Sequence, residues 1–243
     1  MVEGGAEVRA GAESVANGEP RPVASIGRLR LIVITGERGA GKSVVCARLA
    51  TLLRDKGVGI GGVMTERLAG GEGREAVDVA TGERCPFGRQ EHRGGAREGD
   101  PPSADRAAVG VADPLTPSWR YDDDVFRWGN DVFERAQGCE VLIVDELGPV
   151  EILGRRGWTR PLERLVAGDF KTAIVVCRPE LLDRFVALVE READSVFEVT
   201  IENRDGLPGA IADVAAGSEA AEKRSRGHRN ALGSAMARPQ SRK

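Results

Sequence analysis

The sequence has few of the residues that several common classes of functional site require. Its 243 residues contain only two histidines, His92 and His228, and four cysteines. Two histidines, both in low-complexity sequence, argue against a Ser-His-Asp or Cys-His hydrolase. The cysteines are widely separated and form no Cys-x-x-Cys pair, which argues against a zinc site. Four reduced thiols are the simplest interpretation, and they favour a cytoplasmic protein.

Long apolar runs and charge of a single sign are also missing. No apolar stretch approaches the roughly 18 residues of a transmembrane helix, so we expect no membrane attachment. The formal net charge is only -3, and acidic and basic residues are interspersed. Such a pattern gives no sustained field that would indicate a nucleic-acid or protein partner. We expect a monomer.

Composition divides the chain into one domain and two tails. Residues 1–27 are rich in Gly, Ala and Glu without apolar periodicity, and we predict a disordered leader. Residues 216–243 have the same character with more basic residues and predict a disordered basic tail. Between them, 28–215 form the predicted domain. Within it, the polar, Gly- and Pro-rich segment 89–118 is predicted to be a long loop or insertion.

The domain has the pattern of an α/β fold, with strand-like and helix-like segments in alternation. The strand-like runs are LRLIVIT, VGIGGVMT, REAVDVA, CEVLIVDE, TAIVVC and SVFEVTIE. Several are apolar without alternation, as in parallel strands that are covered on both faces. We therefore predict a mostly parallel central sheet flanked by helices. A glycine-rich turn between VGIGGVMT and REAVDVA leaves no room for a helix and predicts an added β-hairpin.

A phosphate-binding loop follows the first strand. Gly36-x-x-x-x-Gly41-Lys42-Ser43 has the spacing of a P-loop, with a strand before it and an amphipathic helix after it. Glycines let backbone N–H groups converge on phosphates at a helix N-terminus. We expect Lys42 to reach the β- and γ-phosphates and the Ser43 hydroxyl to bind Mg²⁺. The predicted nucleotide-binding residues of the loop are Gly36, Glu37, Arg38, Gly39, Ala40, Gly41, Lys42, Ser43 and Val44.

Two adjacent carboxylates end the strand CEVLIVDE. Asp145 is placed to hold Mg²⁺ together with Ser43, as the acidic strand of a P-loop protein does. Glu146 is placed to orient and deprotonate the water that attacks the γ-phosphorus, a general-base role. The alternative is an exposed acidic pair at the end of a strand.

Four further residues have weaker support. Arg178 follows TAIVVC at the carboxyl edge of the sheet, where it would contact the γ-phosphate as a catalytic residue. The alternative is a surface arginine before a helix-starting proline. Arg38, inside the phosphate loop, is likewise either a phosphate contact or a surface arginine. Asn203 and Arg204 follow the last strand and are predicted to lie against the base or ribose.

Several motifs together resemble the THEP-type nucleoside-triphosphatases, also called the cancer-related nucleoside-triphosphatase family. They are the phosphate loop, GGVMTER with VDVATGER, DDDVFRWGNDVFERA, VLIVDELGPVEIL and VFEVTIENRDGLP. The resemblance spans about 28–215. It implies a RecA-like P-loop fold and slow, Mg²⁺-dependent release of the γ-phosphate from several nucleoside triphosphates. Glu151 matches a motif position of the family, although the sequence alone gives it no chemistry.

The predicted function is a Mg²⁺-dependent nucleoside-triphosphatase with little base selectivity, since no Asn-Lys-x-Asp sequence for guanine selection is present. Two alternatives remain open. The same site would serve a nucleotide-type kinase that transfers phosphate to a small acceptor, or a nucleotide-gated binding module.

Overall fold

The structure, a computed structural model, describes most of the chain between residues 29 and 216. The described ranges are 29–68, 73–90, 111–122, 124–168 and 170–216. The predicted leader and nearly all of the predicted tail lie outside these residues.

Nine strands of the described residues form one sheet. They are β1 (Arg30–Thr35), β2 (Ile60–Arg67), β3 (Gly73–Asp78), β4 (Arg84–Gln90), β5 (Val111–Asp113), β6 (Thr116–Tyr121), β7 (Val141–Leu147), β8 (Thr172–Cys177) and β9 (Ser195–Glu198). Their order across the sheet is β5-β6-β4-β3-β2-β7-β8-β1-β9. One strand, β8, therefore lies between the strand before the phosphate loop and the acidic strand β7.

The half of the sheet from β2 to β9 is parallel, as predicted. Its central strands RLIVIT, VLIVDEL and TAIVVC are buried almost throughout. Side chains that alternate along a strand point to opposite faces, so each of these strands supplies apolar groups to both layers of helices. Ile32 and Ile34 belong to one core cluster, whereas Leu31 and Val33 belong to the other.

Six α-helices of the described residues cover the two faces. They are α1 (Lys42–Asp55), α2 (Val125–Arg135), α3 (Pro149–Ile152), α4 (Arg160–Ala167), α5 (Leu182–Val189) and α6 (Leu207–Ala215), with a 3-10 turn at Pro179–Leu181. Residues of α1 and α6 pack on one face, and residues of α2, α4 and α5 pack on the other. Each of these helices is too short or too polar to serve as a membrane span.

The other half of the sheet is antiparallel and larger than predicted. The predicted hairpin is confirmed, because β2 and β3 pair antiparallel with Thr65 opposite Ala76. However, β4, β6 and β5 continue the antiparallel pairing beyond it. We call these four strands, β3 to β6, the antiparallel extension. The prediction of a loop over 89–118 is wrong at both described ends, since β4 runs to Gln90 and β5 and β6 occupy 111–113 and 116–121.

The local amino-acid composition of these segments does not indicate strands. β4 contains Pro86 and Gly88, which individually disfavour a strand, and its register shifts where it pairs with Arg74 and Glu75. Gly88 has a φ of 146°, and a Cβ atom there would lie 2.3 Å from the carbonyl oxygen of Arg120 on β6. Close approach of two strands, rather than chain flexibility, explains this glycine.

Candidate functional site

The phosphate loop joins β1 to α1 and needs its glycines for two physical reasons. Gly36, Gly39 and Gly41 have φ values of 132°, 86° and 105°, in the region that disfavours other residues. Gly36 is also crowded, because a Cβ atom there would lie 2.4 Å from the carbonyl oxygen of Val199. The turn directly after β9 therefore packs against Gly36 of the phosphate loop.

Lys42 lies across the loop rather than in solvent. It is only 7% exposed, and its Nζ donates hydrogen bonds to the carbonyl oxygens of Gly36 (2.6 Å) and Glu37 (3.0 Å). A buried ammonium group requires such partners. α1 begins at Lys42 without a side-chain cap among the described residues, so its first N–H groups are oriented to meet an anion.

Asp145 lies near the carboxyl end of β7 and contacts Ser43 in the first turn of α1. It is fully buried; one carboxylate oxygen accepts a hydrogen bond from the Ser43 hydroxyl (3.4 Å). The other accepts from the backbone N–H and the hydroxyl of Thr65 on β2, at 3.2 and 3.4 Å. Burial and the neighbouring charge of Glu146 together raise the pKa of Asp145 to about 6, against the hydrogen bonds from Thr65 and Ser43, which lower it. The sequence predicts that Ser43 and Asp145 belong to one site, and the structure places their side chains in contact.

The Ser43–Asp145 pair fits a divalent cation bound to a nucleotide. A hydroxyl and a carboxylate oxygen are the hard ligands that Mg²⁺ prefers. The described residues contain no group of three or more His, Cys, Asp and Glu side chains with metal-binding geometry. A Mg²⁺ ion here would therefore take its remaining ligands from phosphate oxygens and water, as Mg²⁺ commonly does. The positive charge would also compensate the buried carboxylate.

Glu146 forms an ion pair with Arg178. The Nε of Arg178, directly after β8, donates a hydrogen bond to Oε1 of Glu146 at 2.6 Å. Both side chains are mostly buried and line the same cleft. Of the two interpretations of Arg178, the structure therefore favours a place in the site over an isolated surface arginine. Glu146 and Arg178 are close because β7 and β8 are adjacent parallel strands, whose carboxyl ends lie at one edge of the sheet.

Glu151 caps the short helix α3 from within the cleft. Its two carboxylate oxygens accept hydrogen bonds from the backbone N–H groups of Gly148 (3.0 Å) and Trp158 (3.3 Å). Only 5% of Glu151 is exposed, and burial raises its pKa to about 7. Both oxygens therefore have structural partners, which the sequence motif gave no means of predicting.

Asn203 holds a turn and does not line the cleft. Its Oδ1 accepts a hydrogen bond from the backbone N–H of Thr200 (2.8 Å), and its Nδ2 donates to the carbonyl oxygen of Glu198 (2.9 Å). The neighbouring Arg204 lines the cleft instead, with its Cδ atom 3.0 Å from where a Cβ atom on Gly41 would lie. In this geometry the turn uses the polar atoms of Asn203, and its contact with the base or ribose stays a prediction.

A cleft of about 840 Å³ connects these residues. It runs from the phosphate loop to the antiparallel extension, where Arg38 donates a hydrogen bond to Oε1 of Gln90 at 2.8 Å. Most charged side chains that line it are basic. The basic ones are Arg38, Lys42, Arg48, Arg67, Arg74, Arg178 and Arg204, and the acidic ones are Glu66, Glu146 and Glu151. Such a lining suits a polyanionic ligand.

The cleft includes some predicted nucleotide contacts and omits others. Those that line it are Arg38, Gly39, Gly41, Lys42, Ser43, Val44 and Arg204. Those that do not are Gly36, Glu37, Ala40 and Asn203. Sequence reasoning missed Thr65, Arg74 and Trp119, which come from β2 and the antiparallel extension. The available signal for Thr65 was its position at the end of the apolar run VGIGGVMT.

Comparisons with known proteins agree with this geometry. A family model described as NTPase matches residues 31–113 and 120–212. The nucleoside-triphosphatase THEP1 of Methanothermobacter thermautotrophicus is 31% identical over 192 residues, which cover 75% of this chain and 94% of that protein. The human cancer-related nucleoside-triphosphatase is 30% identical over 186 residues, which cover 73% of this chain and 92% of that protein.

A solved structure shares the fold. The solution structure of a human cancer-related nucleoside triphosphatase matches with a TM-score of 0.55 and 23% identity, and it covers 78% of this chain and 99% of that one. This likeness supports the P-loop α/β architecture with its parallel central strands.

Proposed function

Because the chain belongs to the NTPase family that includes the THEP1 and cancer-related nucleoside-triphosphatases, we propose that it hydrolyses nucleoside triphosphates and releases the γ-phosphate. One observation carries the proposal. The buried Lys42, the Ser43–Asp145 contact and the Glu146 carboxylate converge at the carboxyl edge of the sheet, at the N-terminus of α1. This arrangement provides phosphate binding, a cation site and a base in one cleft.

The phosphate loop binds the triphosphate. Backbone N–H groups between Gly39 and Ser43 and the N-terminus of α1 donate hydrogen bonds to phosphate oxygens. Lys42 exchanges its two loop carbonyl partners for phosphate oxygens, which are stronger acceptors because they are charged. Mg²⁺ dependence is part of the proposal, with Ser43 and Asp145 as the protein ligands. A bound Mg²⁺ ion would neutralise charge on the β- and γ-phosphates.

Glu146 acts as the general base. A water molecule attacks the γ-phosphorus, the bond from that phosphorus to the β–γ bridging oxygen breaks, and the carboxylate of Glu146 accepts the proton of the water. The ion pair with Arg178 fixes the position of the carboxylate. The products are a nucleoside diphosphate, inorganic phosphate and a proton.

Weak base selectivity is the second part of the proposal. The polar groups that the structure places in the cleft are mainly suited to phosphates, and the guanine-selecting sequence Asn-Lys-x-Asp does not occur in the chain. A cytoplasmic location is also proposed, supported by four cysteines that are free thiols in the described residues.

The test measures phosphate release from ATP, GTP, CTP and UTP with Mg²⁺ and with excess chelator, for the parent chain and Lys42→Ala. The substitution removes a charge-assisted contact worth about 1.5 to 3 kcal/mol, so most binding and turnover should be lost. Lys56→Ala is the matched control, because Lys56 lies just after the same helix in an exposed ion pair with Asp213. Activity of Lys42→Ala equal to that of Lys56→Ala would contradict the proposal.

The same assay distinguishes the alternatives. A kinase would release little phosphate alone and would form a phosphorylated product when a small acceptor is added. A binding module would hold the triphosphate tightly with negligible turnover. A preference beyond about a hundredfold between ATP and GTP, roughly 2.7 kcal/mol, would contradict weak base selectivity.

A further inference from the structure

One arginine of the antiparallel extension reaches the cation site from the wall opposite the phosphate loop. Arg74 lies on β3, paired in register with Arg67 on β2. Its NH1 donates a hydrogen bond to the hydroxyl of Thr65 at 3.0 Å, and Thr65 in turn donates to Asp145. Two successive hydrogen bonds therefore connect the guanidinium to the carboxylate that contacts Ser43.

An aromatic ring holds the guanidinium in place. The Cζ of Arg74 lies 5.8 Å from the ring centroid of Trp119 on β6, within the range of a cation–π contact. Trp119 is itself packed against Phe87 and Tyr121. Thr65 and Trp119 thus restrict the arginine from two sides, which reduces the entropy lost when it binds a ligand.

Most of the hydrogen-bonding capacity of Arg74 is available to a ligand. Thr65 accounts for one of the five N–H groups of a guanidinium. Arg74 forms no ion pair with any residue in the described ranges, whereas Arg84 and Arg178 both do. Arg74 also lines the cleft. The guanidinium is therefore placed to bind an anion that enters the cleft.

We infer that Arg74 is a catalytic residue whose guanidinium binds the γ-phosphate oxygens as the bond to the leaving diphosphate breaks. This inference rests on the proposed function. Lys42 and the loop amides hold the phosphates from one wall, and Arg74 meets the γ-phosphate from the other. Charge that develops on the transferred group is stabilised by a planar donor pair, which matches phosphate geometry. Arg178 is less suited to this role, because its charge is already paired with that of Glu146.

The experiment compares Arg74→Ala and Arg74→Lys with Arg84→Ala. Arg84 is the matched control, since it lies on β4 in an exposed ion pair with Glu66 and Glu75 and does not line the cleft. Three quantities are measured for each variant: kcat for phosphate release, the Kd of a non-hydrolysable triphosphate analogue, and the Kd of nucleoside diphosphate with aluminium fluoride, which imitates the transferred phosphoryl group. Thermal unfolding midpoints report whether each variant folds.

We expect Arg74→Ala to lower kcat by about 10³-fold, the lower end of the range for an arginine that stabilises phosphoryl transfer. The analogue Kd should change by less than about threefold, and the aluminium fluoride complex should weaken about as much as kcat falls. Arg74→Lys keeps the charge but not the paired donors, so it should recover only part of kcat. Arg84→Ala should match the parent chain in all three measurements.

Two results would overturn the role of Arg74. The first is a kcat for Arg74→Ala within about threefold of the parent value. The second is an equal weakening of the analogue and the aluminium fluoride complex, which would indicate ground-state binding or a structural role. A parent chain that releases no phosphate would overturn the proposed function itself, whereas an active parent with an equally active Arg74→Ala would overturn only this inference.

Discussion

Replacing Glu151 with Gln should change how the stability of the fold depends on pH. Glu151 is 5% exposed, and burial raises its pKa from the ordinary 4.5 to about 7, while hydrogen bonds from Gly148 and Trp158 act in the opposite direction. Between these two pH values the folded protein keeps a proton that the unfolded chain has released. Stability from this group is therefore present below about pH 4.5 and is lost as the pH rises to about 7.

The magnitude follows from the difference between 4.5 and about 7. At about 1.36 kcal/mol for each pKa unit, it corresponds to roughly 3 kcal/mol over the whole range. Between pH 5 and pH 8 the expected loss is about 2.5 kcal/mol, because part of the titration is already complete at pH 5. Gln does not titrate, so the free energy of unfolding of Glu151→Gln, relative to the parent chain, should rise by that amount over the same interval.

Urea denaturation in excess chelator at pH 5 and pH 8 measures this difference. The chelator removes divalent cations, so that Asp145 makes the same contribution to the stability of the parent chain and of Glu151→Gln. Glu163→Gln is the matched control, because Glu163 is an exposed residue of α4 paired with Arg160. Parallel stability curves for the parent chain and Glu151→Gln would refute the reasoning. Gln also places an N–H group near a backbone N–H, which lowers stability at every pH and leaves the pH-dependent difference intact.

Four other substitutions test the site directly. Glu146→Gln keeps the length of the side chain but cannot accept the proton, so turnover should fall by about 10² to 10⁴ with little change in nucleotide Kd; parental turnover would place the base elsewhere. Asp145→Asn should weaken Mg²⁺ binding, so that added Mg²⁺ restores part of its activity but none of that of Glu146→Gln. Gly36→Ala would place a Cβ atom 2.4 Å from the carbonyl oxygen of Val199 at a φ of 132° and should cost about 2 kcal/mol or more. Gly39→Ala, with no atom within 4 Å, should cost about half as much, and equal unfolding midpoints for the two would contradict this account of the loop.

The parallel half of the sheet and the core of the site could be predicted from local sequence. β1, β7 and β8 are short apolar runs, and the loop after β1 has a fixed spacing of Gly, Lys and Ser. Because parallel strands end at one edge, the sequence also placed Asp145 near Ser43 correctly. These features depend on the neighbours in the chain and on one general rule of sheet geometry.

The antiparallel extension and its contribution to the site could not be predicted in the same way. β4 contains Pro86 and Gly88, and its pairing with β6 depends on contacts between segments that are distant in sequence. Local propensity does not report such pairing. The contact of Arg74 with Thr65, and the use of Asn203 by its own turn, depend on side-chain geometry that no spacing specifies.

The position of β1 has a consequence for synthesis of the chain. β1 is at the start of the described residues, yet both of its neighbours in the sheet, β8 and β9, are near the end, and α1 packs against α6. The segment that supports Gly36 includes Val199. During translation the loop therefore leaves the ribosome long before the strands that hold it in shape, and contacts so distant in sequence form late.

Nucleotide binding should accordingly be a property of finished chains only. A ligand stabilises the state that binds it, so nucleotide would protect a complete chain and give no protection to one arrested before Val199. Limited proteolysis of ribosome-bound chains arrested before β8 and released after α6, each with and without nucleotide, would reveal the difference. Equal protection of both would show that the loop forms without its late neighbours. The late pairing of β1 would thus make ligand occupancy a marker that synthesis has passed β9.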